Sequence, residues 1–245
     1  MIVTRSMHPA WRSNGYLVVD ESGGYALFVD AGAPIEPLMA TVAELDATVT
    51  HVLITHEHHD HTTHLVPLDE RYDATVVLPD SSAAGATVTC GRLVLRPVNT
   101  PGHCDPHVAW LVEEDGVVVA AFTGDALFRN TVGGTLNGGP DGFAQLRTSI
   151  LDVLLALPPE TVLYPGHMEE TTVARELAEN PFVRAWRGDT PEGDEPVQVA
   201  GNDATLLLEA PDYDGGSKAW VRFADGREAV VGGSMLTRTS SGAPA

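Results

Sequence analysis

The sequence predicts an α/β protein with a small C-terminal β appendage. Short apolar runs typical of buried strands alternate along the chain with segments such as residues 33–45, where apolar side chains recur at helical spacing. The composition changes after Trp186, because residues 189–196 are charged, rich in proline and free of large apolar side chains. Alternating apolar residues return around the dipeptide Asp225-Gly226, which favours a hairpin turn.

We assign the main domain to residues 1–187. A hairpin over residues 14–29 comes first, because two strand-like runs flank the turn-forming Glu21-Ser22-Gly23-Gly24. Further strands are predicted at residues 52–54, 76–78, 93–95, 108–112, 117–122 and 161–164. Three helices are predicted. The first covers residues 33–45, and the third runs from Thr172 to the Asn180-Pro181 stop signal. The second is capped by Asp141, and its apolar face consists of Phe143, Leu146, Ile150, Val153 and Leu157.

We assign residues 188–245 to a linker, a β-rich appendage and a disordered tail. Strand-like segments at residues 205–208, 218–223 and 229–231 predict the appendage. The tail, from Thr239 onwards, is small and polar. Packing is the default role for Tyr213 and Trp220 in this part, and the alternatives are that they line a substrate pocket or an oligomer contact.

Charge and composition narrow the class of partner. The formal net charge is −20, and Lys218 is the only lysine. An acidic surface repels phosphate backbones and anionic membranes, so we expect a small-molecule substrate rather than nucleic acid or membrane. Two cysteines, Cys90 and Cys104, are too few for a disulfide framework, and no apolar run reaches membrane-spanning length. We expect a soluble cytoplasmic protein, and the sequence leaves open whether it forms a homodimer.

The densest cluster of metal-binding residue types directly follows the predicted strand at residues 52–54. It reads His-x-His-x-Asp-His and contains His56, His58, Asp60 and His61. Neutral imidazole and carboxylate are good ligands for zinc, iron or manganese, and several of them without partners would be costly to bury. The cluster therefore predicts a metal site at a strand end.

Three more candidate ligands share this local setting. His103, Asp125 and His167 each follow a glycine on a loop after a predicted strand. Loops at the same end of a sheet can converge on one cleft, and two metal ions with a shared oxygen need about six or seven protein ligands. The seven residues together predict a two-metal centre.

These motifs resemble the metallo-β-lactamase superfamily, and within it the glyoxalase II-like hydrolases. The resemblance covers about residues 13–186. It is carried by Asn14-Gly15-Tyr16-Leu17-Val18, Val29-Asp30-Ala31-Gly32, the histidine cluster, Thr100-Pro101-Gly102-His103, Thr123-Gly124-Asp125-Ala126-Leu127-Phe128, Pro165-Gly166-His167, and the run Thr171-Thr172-Val173 followed by Asn180-Pro181-Phe182. The fold that it implies is an αββα sandwich.

The resemblance also implies ligands and a mechanism. The first metal ion would be held by His56, His58 and His103. The second would be held by Asp60, His61 and His167. Asp125 would bridge the two ions. The cofactors would be two divalent ions, zinc first, with iron and manganese open. A hydroxide bridging them would hydrolyse a small thioester or ester, with Asp60 and Asp125 as the catalytic carboxylates and Asp60 able to steer the hydroxide proton.

Some residues depart from this assignment. His59 falls at a position that does not bind metal. Gly134 stands where the family commonly has arginine, and residues 188–245 do not resemble the glutathione-binding region of glyoxalase II, so no thiol-binding residue is assigned. Asp30 is either a turn residue or a support behind the site, and His107 is expected to support the site rather than bind metal. Cys104 has no partner that would suggest a redox or ligand role.

Other functions stay open at this point. A persulfide dioxygenase shares the fold and motif but holds one iron on the residues that match His56, His103 and Asp125. A lactonase and a metal-binding protein without catalytic activity are further alternatives.

Overall fold

The computed structural model of the chain describes residues 1–80 and 87–238. The predicted tail from Thr239 lies outside the described residues. The strands are β1 (Ile2–Met7), β2 (Asn14–Val19), β3 (Tyr25–Val29), β4 (Thr48–Leu53), β5 (Thr75–Val77), β6 (Val88–Cys90), β7 (Leu93–Asn99), β8 (Val108–Glu114), β9 (Val117–Gly124), β10 (Leu127–Phe128), β11 (Thr131–Val132), β12 (Val162–Pro165), β13 (Thr171–Thr172), β14 (Glu195–Val199), β15 (Asn202–Pro211), β16 (Ser217–Phe223), β17 (Glu228–Gly232) and β18 (Leu236–Arg238). The helices are α1 (Glu36–Glu44), α2 (His59–Thr62), α3 (Leu65–Tyr72), α4 (Gly142–Thr148), α5 (Val173–Glu179) and α6 (Pro181–Trp186), with a π-helical segment Ser149–Leu154 after α4 and a 3-10 turn Gly233–Met235 before β18.

Two sheets face each other across the main core. One has the order β1-β2-β3-β4-β5, and the other has the order β13-β12-β9-β8-β7-β6. Buried side chains of both sheets form one cluster between them, which includes Leu27, Leu53, Leu95 and Trp110. The indole N–H of Trp110 donates to the carbonyl oxygen of Ile54 at 3.2 Å. This bond ties the second sheet to the end of β4, where the histidine cluster begins.

Helices cover the outer faces of both sheets. On the first sheet, buried residues of β2–β4 cluster with Leu38 of α1 and Leu68 of α3. On the second, Ala121 and Leu163 cluster with Leu146 of α4 and with residues of α5 and α6. The layers are therefore helix, sheet, sheet and helix, and the predicted αββα sandwich is confirmed. Among the described residues, no helix is long and apolar enough to cross a membrane.

The C-terminal segment forms a third, five-stranded sheet of order β17-β16-β15-β14-β18. One of its faces has its own apolar cluster, with Val197, Val221 and Val231. Its other face joins the core of the second sheet through residues such as Trp220 and Val230. The predicted β appendage is confirmed, while the division of the chain at residues 187 and 188 stays a prediction.

The helix predicted after Asp141 differs from expectation. The Asp141 side chain makes no capping hydrogen bond, and α4 passes into a π-helical turn at Ser149. Within this turn the N–H of Leu155 bonds the carbonyl of Ile150, five residues earlier. The wider turn rotates the following side chains, so Leu154 and Leu155 are buried instead of Val153. The helix predicted from Thr172 to the Asn180-Pro181 stop signal is confirmed as α5. Asn180 also caps a further short helix, α6, by accepting bonds from the first two N–H groups after Pro181.

Candidate metal centre

The histidine cluster runs from the end of β4 into the short helix α2. His56 lies in the connecting loop, and His61 lies in α2. Both imidazoles are completely buried, and their ring centroids are 4.2 Å apart. The six residues 56–61 therefore bring four candidate ligands close together, because the chain passes from the end of β4 into a helix there.

Asp125, on the loop after β9, lies among histidines from three other loops. Its Oδ1 is 3.4 Å from His61 Nε2, and its Oδ2 is 3.3 Å from His167 Nε2. The same Oδ2 is 3.7 Å from His103 Nε2 and 3.9 Å from His56 Nε2. The two carboxylate oxygens thus face different sets of imidazoles.

All seven predicted ligands are brought together. Their ligand atoms fall into three overlapping groups, each with all atoms within 4.8 Å of one another: His56, His58, His103 and Cys104; His56, His61 and Asp125; and Asp60, His61 and His167. In the third group, Asp60 Oδ2 is 3.5 Å from His167 Nε2 and 3.8 Å from His61 Nε2. His59, which is not among the predicted ligands, is exposed.

Hydrogen bonds turn the Nδ1 atoms of three histidines away from the centre. Carboxylate and carbonyl oxygens can only accept, so Nδ1 donates and Nε2 keeps its lone pair, as in metal-binding histidines generally. The acceptors are Asp30 Oδ2 for His61 at 2.9 Å, Gly134 O for His103 at 2.9 Å and Trp11 O for His167 at 3.1 Å.

The donor atoms fit metal ions. His58 Nδ1 is 3.1 Å from Nε2 of both His56 and His103. Tetrahedral zinc with zinc–nitrogen bonds of about 2.0–2.1 Å places its nitrogen ligands roughly 3.3 Å apart. Two further atoms, His61 Nε2 and Asp125 Oδ1, are buried without a hydrogen-bond partner among the described residues. A cation bound to them would satisfy both.

The charges of the site reinforce this arrangement. Burial alone would raise the pKa of Asp125, but the neighbouring His167 and His61 hold it well below its ordinary value. Burial would lower the pKa of His61, whereas the carboxylates of Asp125 and Asp30 raise it well above the usual range. A cation can bind these groups only through a neutral imidazole and an ionised carboxylate, so metal binding at the site is coupled to the release of protons.

Asp30 supports two of the predicted ligands from behind. It is 3% exposed, and its carboxylate accepts bonds from the N–H and the hydroxyl of Thr55 as well as from His61. Thr55 Oγ1 lies 3.1 Å from Nδ1 of His56. Asp30 also has a φ of 57°, so it is both a turn residue and a support, the two roles between which the sequence did not decide.

Replacing Asp30 with asparagine is expected to weaken metal binding about 10- to 100-fold, the usual range for loss of a partner that orients a ligand. The amide lacks the charge that fixes the His61 Nδ1 proton. Metal affinity can be measured by competition with a chelator of known affinity. Asp20→Asn is the matched control, because Asp20 is also buried but accepts its bonds from backbone N–H groups in the β2–β3 turn. Equal affinities in both variants would contradict the role of Asp30.

Glycine is required at two positions of the site for different physical reasons. Gly124, before Asp125, has a φ of +49°, which favours a residue without Cβ. Gly166, before His167, has no such φ. A Cβ there would lie 2.2 Å from Asp125 Oδ1, so close approach to the carboxylate requires glycine at this position.

His107 holds the backbone of Asp125. Its Nε2 accepts from the Asp125 N–H at 3.1 Å, so its Nδ1 carries the proton and donates to Thr100 Oγ1 at 2.8 Å. Burial lowers the pKa of His107 to about 3, which keeps the ring neutral as this pattern requires. The imidazole therefore supports the site, and it lies outside the three ligand groups.

Two residues contact the site although neither is among the predicted site residues. Cys104 joins the group formed by His56, His58 and His103. Tyr213, from the C-terminal sheet, stacks on His167 with ring centroids 4.6 Å apart and an interplanar angle of 14°. Their local sequence carries no motif for either contact, and only the adjacency of Cys104 to His103 was a hint.

Comparisons with known proteins agree with this geometry. Residues 8–84 match the model of the metallo-beta-lactamase superfamily. An uncharacterized protein of Aquifex aeolicus (strain VF5) is 31% identical over 199 residues, which cover 69% of this chain and 91% of that protein. A hydroxyacylglutathione hydrolase of Rhodopseudomonas palustris (strain BisA53) is 33% identical over 164 residues, 62% of this chain and 61% of the relative.

Among solved structures, ETHE1 from Myxococcus xanthus superposes with a TM-score of 0.65 at 35% identity. The match covers 76% of this chain and 85% of ETHE1. The family model, these relatives and the His/Asp centre at the strand ends lead to one assignment. The chain belongs to the metallo-beta-lactamase superfamily.

Proposed function

We propose that the chain is a dinuclear metal-dependent hydrolase of a small thioester or ester, similar to glyoxalase II. The observation that carries this proposal is the position of Asp125 between the two ligand sets. Its Oδ1 is 3.4 Å from His61, and its Oδ2 lies between His167 at 3.3 Å and His103 at 3.7 Å. A carboxylate that lies within reach of two neighbouring ligand sets is suited to bridging two cations.

The first metal ion would be held by His56, His58 and His103, and the second by Asp60, His61 and His167, with Asp125 between them. When bound, two such ions lower the pKa of a water molecule and polarise a substrate carbonyl, the chemistry that ester and thioester hydrolysis needs. The outward Nδ1 bonds of His61, His103 and His167 keep these three imidazoles from rotating and so orient this chemistry.

Asp60 is the carboxylate best placed to exchange a proton with solvent. Its side chain is 28% exposed, against 9% for Asp125, and its Oδ2 faces His167 Nε2. We propose that the carboxylate of Asp60 accepts the proton that the attacking water loses and passes it to the departing thiolate or alkoxide, which leaves as the thiol or alcohol.

The similarity to hydroxyacylglutathione hydrolases supports a thioester as the substrate. The chain spans only about three fifths of the relative from Rhodopseudomonas palustris, so glutathione as the thiol carrier is not part of the proposal. We propose zinc as the metal, because the donor set of five imidazoles and two carboxylates suits zinc, while iron and manganese accept the same ligands.

A second candidate function is favoured by the likeness to ETHE1, a persulfide dioxygenase. Such an enzyme would use one iron on His56, His103 and Asp125. A single iron at that position would not use the third ligand group, which consists of Asp60, His61 and His167. This group is why hydrolysis is the first candidate.

Metal analysis separates the two candidates. We expect about two equivalents of metal per chain by elemental analysis, together with hydrolysis of thioesters followed by thiol release. Dialysis against a chelator should remove both the metal and the activity, and added zinc should restore them. One iron per chain, with oxygen uptake in the presence of a thiol persulfide and no thiol release, would instead establish the dioxygenase.

A further inference from the structure

The C-terminal sheet sends one loop to the metal centre. Tyr213 lies between β15 and β16, and its ring stacks on His167. The same ring meets Phe128 edge-on, with centroids 5.0 Å apart and an angle of 65°. Tyr213 is half-buried. An aromatic residue from a distant sheet thus lies directly against a candidate metal ligand.

This loop is held in place by polar contacts with the main domain. The guanidinium of Arg12 donates to the carbonyl of Tyr213 at 2.9 Å. Asp212 accepts from the hydroxyl of Thr131 at 3.3 Å, and Lys218 donates to the carbonyl of Val132 at 2.8 Å. Because two contacts of the loop and one of the adjoining strand β16 fix this region, the position of the Tyr213 ring is defined by the fold.

A cavity of about 180 Å³ adjoins this contact. Phe128, His167 and Tyr213 line it, and Arg129 and Glu169 of opposite charge lie at its exposed side. Its volume is below the roughly 300 Å³ at which pockets for drug-sized ligands begin. The cavity therefore suits a compact group, and its aromatic walls suit an apolar one.

Asn130 also lines the cavity, and its Oδ1 is buried without a hydrogen-bond partner among the described residues. A buried acceptor of this kind is rare in folded proteins unless a ligand or water satisfies it. Water or a donor on a ligand would satisfy this oxygen, and because His167 also lines the cavity, a group that enters it would lie beside a candidate metal ligand.

We propose that this cavity is the acyl subsite of the enzyme, that it accepts short acyl groups, and that Tyr213 sets the upper limit of their size. This inference rests on the proposed hydrolase function, since it names which end of the substrate lies beside His167. The C-terminal sheet is then a specificity-determining part of the site.

The test measures ligand size without turnover. Straight-chain carboxylates of increasing length, from acetate upwards, are titrated into the metal-loaded protein by calorimetry. In the wild type, affinity should rise by about fourfold for each methylene that is buried and then stop at a short chain length. Tyr213→Ala should move this limit to longer chains, Tyr213→Trp should move it to shorter ones, and Tyr213→Phe should leave it unchanged.

Tyr25→Ala is the matched control, because Tyr25 is 50% exposed at the start of β3. An unchanged length limit in both Tyr213→Ala and Tyr213→Trp would overturn the proposal. A second result would also overturn it: Tyr213→Ala loses one metal equivalent, and Tyr213→Trp keeps the wild-type length limit. Tyr213 would then only support His167.

The two proposals can fail separately. If the limit shifts as expected but no thioester or ester is hydrolysed, the proposed hydrolysis is wrong and the subsite stands as a binding pocket. If thioesters are hydrolysed with the same acyl-length preference in all four Tyr213 proteins, the hydrolase stands and the subsite is wrong.

Discussion

Asp125→Asn is expected to reduce turnover about a thousandfold or more. The change keeps the shape of the side chain but removes the charge that faces His61, His167 and His103. Metal ions in such sites contribute several kcal/mol of transition-state stabilisation, and each 1.4 kcal/mol or so is a factor of ten in rate. The measurement is kcat/KM for a thioester, with the metal content determined on the same sample.

The metal content decides how this result is interpreted. We expect Asp125→Asn to hold less than the full complement, because an amide is a poorer ligand and cannot bridge by two anionic oxygens. Asp20→Asn, which changes a buried carboxylate away from the site, should keep both metal and activity. Near wild-type turnover in Asp125→Asn would show that the catalytic centre lies elsewhere.

Lys218→Met is expected to lower the free energy of unfolding by about 3–5 kcal/mol, the usual cost of removing one partner of a buried ion pair. The ammonium is 3.4 Å from Asp212 Oδ2, and the two side chains are 10% and 8% exposed. Without Lys218, Asp212 would be a buried charge without its cation, and the carbonyl of Val132 would lose its donor. Urea unfolding followed by tryptophan fluorescence gives this free energy.

Two further variants test this explanation. Lys218→Met combined with Asp212→Asn should recover much of the loss, because no buried charge is then left without a partner. Arg227→Met should leave stability unchanged within error, since its pair with Asp225 is exposed to solvent and screened. A Lys218→Met protein as stable as the wild type would contradict the buried pair as a source of stability.

The main domain was largely predictable because its signals are local. The run before His56 predicted β4, and the loops of His103, Asp125 and His167 each follow a strand, β7, β9 and β12. The bounds of strands were less predictable. β15 covers Asn202–Pro211, longer than the predicted strand at residues 205–208, because pairing with β14 and β16 extends it past its apolar centre.

The contribution of the C-terminal sheet was not predictable from the sequence. Lysine is seldom buried, so Lys218 in an alternating segment indicates a solvent-facing position, yet the residue is 8% exposed. Tyr213 lies 46 residues after His167 in the chain, and no motif links them. Such contacts depend on how one sheet docks on another, which local periodicity does not encode.

The burial of Lys218 has a chemical consequence. It carries the only side-chain amine of the chain, and that amine lies between β16 and the carbonyl of Val132 at the end of β11. Reagents that acylate lysine can reach it only when the C-terminal sheet separates from the main domain. The rate of Lys218 acylation therefore reports how often the two parts open, at a single side-chain atom and without an engineered label.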